Sequence, residues 1–160
     1  MKPFAFFTFI FFIFLSAFNV SEISKSEFYK VFSTKSEAGI DAMIEKLEQE
    51  KPSSLLSAYK GALYMKKADF VKGVNEKVRT FKKGAKLLEN EIVKKTSNTE
   101  YRFLRLTVQE HAPKILKYNK DLKDDKKAIE TGFKDLNPEL KKIIKEYTAG
   151  SKVLKIDDLP

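Results

Sequence analysis

The feature that most restricts what this chain can fold into is the spacing of its apolar residues. From Phe28 to Tyr147 they recur at steps of three and four, the period of one helix face, and nowhere with the alternation of a strand. The longest stripe runs Val74, Val78, Phe81, Ala85, Leu88 and Ile92, and a broad one holds Leu55, Leu56, Tyr59, Ala62 and Leu63. Shorter stripes lie at Phe28, Val31 and Phe32, at Ile40, Met43, Ile44 and Leu47, and at Tyr101, Leu104 and Val108. Leu122, Ile129 and Phe133 make another, and Leu140, Ile143, Ile144 and Tyr147 close the series. Faces of this width must be buried against one another.

The breaks between stripes are chemically typical of helix ends. Ser36 starts one helix and Pro52 stops it, and Ser53 or Ser54 can cap the next by offering a side-chain oxygen to free backbone amides. Thr96 to Thr99 is a loop and capping cluster, Pro113 interrupts the helix before it, and Asp121 is a candidate cap. Asn137 followed by Pro138 is a cap and first-position pair, and Gly150 is a C-terminal signal. Short loops make successive helices antiparallel neighbours, so the expected fold is all-α, an irregular antiparallel bundle or short hairpin stack of about six helices. Residues 21–150 form this helical domain, and residues 151–160 read as an extended tail.

The first twenty residues follow other rules. Lys2 precedes an apolar run from Phe4 to Phe18 that only Thr8 and Ser16 interrupt, the pattern of a secretory leader. About 15 apolar residues span only some 22 Å as a helix, short of a hydrocarbon core of about 30 Å, so cleavage is expected rather than a permanent anchor. The expected destination is the periplasm or the medium, with the membrane touched only through the leader before cleavage. The chain has no cysteine, which fits a bacterial envelope better than a disulfide-rich secreted domain and removes thiolate chemistry and cysteine metal sites.

Charge narrows the partners. The formal net charge is +9, and residues 51–95 carry most of the excess, with eleven lysines and Arg79 against four acids. Nucleic acid is not expected, because the cations are 28 lysines against only Arg79, Arg102 and Arg105, and nucleic-acid forks favour arginine. A solvated, lysine-rich helix surface accounts for most of this charge, and an acidic partner or anionic surface is the competing reading.

His111 is the only histidine, so histidine relays and histidine metal sites reduce to one group, and its place near a helix end favours a bond to a free carbonyl. Most acids alternate with lysines at helical spacing, as a salt-bridged surface does. No phosphate loop, nucleophile elbow or zinc-protease motif is present, so no catalytic residue, metal ligand or cofactor is assigned. Arg102 and Arg105 stand out because their i, i+3 spacing puts both guanidiniums on one helix face, where they can fork a carboxylate or bridge acids of a neighbouring helix. Tyr101 beside them completes the candidate binding set. Its ring is read as core or core edge, with a polar tip free to face a groove.

The stretch from Tyr101-Arg102-Phe103-Leu104-Arg105-Leu106 through Gln109-Glu110-His111-Ala112-Pro113, Tyr118-Asn119 and Asp125-Lys126-Lys127 resembles a signature of uncharacterised exported helical proteins of Bacteroidota. The similarity runs over about residues 55–145, with Ala58, Tyr59, Gly61, Ala62 and Met65 upstream, and His111 stands where that pattern has Asn. Residues 55–91 also resemble a pair of tetratricopeptide-type hairpin helices, with Gly61, Ala62, Ala68, Gly84 and Ala85 where helices approach, though no 34-residue repeat returns. The resemblance implies a small exported helical protein. The expected function is non-enzymatic binding of a protein or anionic component of the envelope through a concave helical surface. The alternatives are a small helical enzyme or accessory subunit, and a basic surface from Lys60 to Lys95 that touches anionic lipid or polysaccharide.

Overall fold

The computed structural model describes residues 23–160, and the expected leader lies outside the described residues. Among the described residues seven α-helices follow one another: α1 (Lys25–Ser33), α2 (Glu37–Gln49), α3 (Ser54–Lys67), α4 (Val74–Lys94), α5 (Thr99–His111), α6 (Leu122–Gly132) and α7 (Pro138–Thr148). No strand occurs among the described residues. The all-α bundle expected from the apolar period is therefore the fold.

Local chemistry sets most boundaries. Ser24, Ser36, Ser53, Asn98 and Asn137 each accept an amide three residues on, at 2.8 to 3.2 Å, satisfying donors that the first helical turn leaves free. Asp121 occupies the N-cap position of α6 but caps nothing with its side chain. Its carboxylate instead lies 3.6 Å from Arg105, and its amide donates to Gln109 Oε1 at 3.0 Å. Gly73 precedes α4 with φ +83, a backbone region that a side chain rarely tolerates, so glycine is needed for the turn out of α3.

The two longest helices, α3 and α4, pack as a close hairpin. Gly61 and Gly84 face each other at the crossing, and a Cβ added to Gly84 would lie 2.4 Å from the Gly61 carbonyl. The absence of both side chains is what lets the two backbones touch. Around this hairpin the core holds Phe28 stacked on Tyr59, with centroids 3.6 Å apart and planes at 5°. Such a pair is worth about 0.5–1.5 kcal/mol beyond the area it buries.

Helix α5 runs through the middle and is buried on nearly every side, including its polar residues Arg105, Thr107 and Gln109. Residues 151–160 leave the last helix without forming another α-helix, but they are tied down. Leu154 is fully buried, a short 3-10 turn spans Ile156–Asp158, and Asp158 pairs with Lys126 at 2.8 Å. Glu110 of α5 gathers the start of this segment, accepting from Tyr147 Oη at 2.5 Å, Ser151 Oγ at 2.7 Å and the Lys152 amide. Burial works against this carboxylate's charge, yet the three donors outweigh it and hold its pKa below the usual range.

Candidate ligand-binding cleft

The residues singled out by sequence come together, but around an internal acid. Arg105 donates from Nε and Nη2 to the two oxygens of Asp125 at 2.7 and 2.6 Å, and Arg102 Nη1 reaches the same carboxylate at 3.1 Å. Gln109 Nε2 adds a fourth donor at 2.6 Å, and Asp125 is 0% exposed. Arg105 also meets Glu89 at 2.8 Å, and Glu89 accepts from Tyr118 Oη at 2.6 Å. Burial alone would lower the Arg105 guanidinium, but the hydrogen bonds and charge of Asp125 hold it above its ordinary value. Desolvation, followed by the charge of Glu89, raises Tyr118, which stays a neutral donor. Of the two readings open for the fork, a partner's carboxylate or an acid of a neighbouring helix, the second describes the contacts: the fork receives Asp125 and joins α5 to α6. Tyr101 is buried in the core, and neither it nor the two arginines line the concave surface described next.

His111 is exposed and its Nδ1 donates to the Thr107 carbonyl at 2.9 Å, the helix-end contact anticipated for it.

The concave surface lies on the other side of α5. Helix α1, the last turn of α3, the first turns of α4, helix α5 from Phe103 onward and helix α7 enclose a cleft of about 870 Å³. That falls within the range of about 300–1,000 Å³ typical of ligand pockets. Each helix contributes an aromatic or flexible apolar group, namely Tyr29, Phe32, Met65, Phe81, Phe103 and Tyr147. Val108 and Ile143 fill between them. The lips are Val74, 76% exposed, and Ile115, 87% exposed, two of the four large apolar side chains most open to water among the described residues. Apolar groups held in water at the mouth of an apolar cleft are the arrangement that an incoming apolar ligand would cover.

The polar lining is sparse. The Thr107 hydroxyl donates to the Leu104 carbonyl at 2.7 Å and the Ser33 hydroxyl to the Lys30 carbonyl at 2.8 Å, so the donor of each is already spent. Charge along the rim comes from Lys30, Lys35, Lys66 and Lys77 against Asp69 and Glu146. Lys66 and Lys77 belong to the basic stretch noted in the sequence. Lys66 is half-buried, and its ammonium lies 5.5 Å over the Phe32 ring. Desolvation lowers its pKa, Asp69 partly restores it and Lys35 lowers it further.

No single stripe could have shown this cleft, since its walls come from five helix segments spread over residues 26–147. After Pro113 the sequence reads Ile115 and Leu116 as one more packed turn; the short 3-10 turn Lys114–Leu116 instead buries neither, and Ile115 stands 87% exposed. Compared with protein-family models, with curated proteins and with solved structures, the chain matches none.

Proposed function

We propose that this chain is an exported binding protein whose ligand occupies the cleft beside α5. The observation that carries the reading is the pairing of an apolar interior with the exposed lips Val74 and Ile115. The carboxylates support binding over catalysis. A general acid or base must be poised between its two protonation states. Asp125, Glu100 and Glu110 are instead each saturated by donors: Asp125 by two arginines and Gln109, Glu100 by Lys25 and Tyr59, Glu110 by Tyr147 and Ser151. Export, and kinship with the exported helical proteins of Bacteroidota that the central segment resembles, belong to the same proposal.

The test uses Nile red, an uncharged dye that brightens in apolar surroundings. It should bind the full chain. Val108→Trp, which fills the cleft from α5, should weaken binding at least about tenfold while leaving the melting temperature within a few degrees. Ile143→Trp approaches from α7 and should do the same, so that a folding defect in one variant does not decide the matter. Unchanged dye binding in both folded variants would remove the cleft from the account. Mass spectrometry of the natural mature protein reads the export claim: loss of the segment Phe4 to Phe18 is expected, and its retention would contradict it.

A further inference from the structure

We infer that the ligand of this cleft is a single-chain anionic amphiphile, a long-chain carboxylate whose head group pairs with Lys66. The inference rests on the cleft being a ligand site and adds the ligand's chemical class.

Two independent observations converge on it. The first is that neutral hydrogen-bonding groups are few beside the apolar wall. A sugar, nucleotide or other polyfunctional ligand is oriented by several convergent polar groups. Here the Thr107 and Ser33 hydroxyls donate to backbone carbonyls and the Tyr147 hydroxyl to Glu110; Ser26, His111 and the buried Tyr29 hydroxyl, which has no partner among the described residues, are the other neutral polar groups of a wall that is otherwise largely aromatic and aliphatic. Such a wall selects for an apolar body. Met65, flexible and polarizable, lets it adapt to a chain without a fixed shape.

The second is Lys66. Half-buried at the end of α3, it faces the Phe32 ring rather than a carboxylate and makes no salt bridge among the described residues. An ammonium withdrawn from water without a partner is costly, and an anion supplied by a ligand offsets that cost. Burial lowers its pKa, and Asp69 is near enough to restore only part of it. Lys30 and Lys35 on the same rim add positive potential. Lys77 contributes less directly, because its ammonium donates to the Asp69 carbonyl at 2.9 Å. Among the described residues Asp69 and Glu146 are the acids of the rim, so four lysines face two carboxylates and the mouth favours a negative head.

The experiment is displacement of Nile red from the full chain by palmitate, hexadecanol and hexadecyltrimethylammonium, which share a chain and differ in head charge. Palmitate should bind at least about tenfold more tightly than hexadecanol, and the cationic amphiphile most weakly. Lys66→Met should abolish the preference for palmitate while changing hexadecanol affinity less than about twofold, and Lys66→Arg should retain the preference. Equal binding of all three would overturn the assignment of Lys66 and leave the cleft a general apolar site. A palmitate preference that survives Lys66→Met would likewise reject Lys66 as the head-group partner. If none of the three displaces the dye while an amphipathic helical peptide does, the occupant is a protein segment and the inference falls. Palmitate binding that persists undiminished in both Val108→Trp and Ile143→Trp would place the amphiphile elsewhere and defeat both readings.

Discussion

Asp125→Ala is expected to destabilise the fold by about 3–5 kcal/mol, the cost of leaving buried cations without their counter-ion. Three residues of α5, Arg102, Arg105 and Gln109, direct hydrogen bonds at this one carboxylate, which no water reaches in the described structure. Removing it strands Arg105 most severely, because only the partly exposed Glu89 and Asp121 remain within reach. At about 4 °C of melting temperature per kcal/mol for a domain of this size, the loss should read as roughly 12–20 °C. Arg105→Met made alongside Asp125→Leu should recover a substantial part of it, since an apolar pair of similar volume removes the unpaired charge with the acid. Urea denaturation followed by circular dichroism measures both. A loss under about 1 kcal/mol would mean that the cluster behaves as a surface ion pair and that burial of Asp125 has been misread.

Gly84→Ala is the second large effect, and there two opposing terms can be weighed. Alanine in the interior of a helix gains about 1 kcal/mol over glycine. At Gly84 the added methyl would sit 2.4 Å from the Gly61 carbonyl oxygen and 2.6 Å from the Met65 amide. Both are backbone atoms of α3, which cannot rotate aside as a side chain would, so the two helices must separate along their crossing. Overpacking of a tight interface costs typically about 1–3 kcal/mol and occasionally more, and against a backbone the upper end applies. The expected net result is a loss of about 2 kcal/mol. Gly150→Ala is the matched control. No atom lies within 4 Å of its added Cβ and its φ is not positive, so it should be neutral or stabilise by a few tenths of a kcal/mol through the unfolded chain. Equal effects at the two positions would show that close approach to α3 does not govern Gly84.

The two substitutions mark where the sequence was readable and where it was not. The all-α class and most helix ends follow from local chemistry, with seven helices described where about six were expected: Ser36, Ser53 and Asn137 cap as their identities require, and the small residues Gly61 and Gly84 sit at a helix crossing. Helix α5 was harder, because periodicity assumes that polar residues face water. Arg105, Thr107 and Gln109 are buried instead, satisfied by an acid of α6 twenty residues from Arg105 and by a backbone carbonyl. That partner could not be identified until the packing of α6 was known. The same limit hid the cleft. Val74 continues the α4 stripe in sequence, yet it lies at the helix start, beyond the reach of α3, and becomes a lip instead of core. The arginines drew attention by rarity, which reported a structural cluster; Lys66 was one lysine among 28 and gained meaning only from its surroundings.

The measurement closest to the account is a map of side-chain methyl resonances during titration of the full chain with palmitate. Shifts are expected at Met65, Val78, Val108, Leu116 and Ile143, which line the cleft, while Leu63, Leu104 and Ile129 in the buried core stay in place. Shifts absent from the cleft methyls, or confined to the exposed Val93 and Ile156 on outer faces, would contradict it and return the protein to a reading in which its diffuse positive surface does the binding.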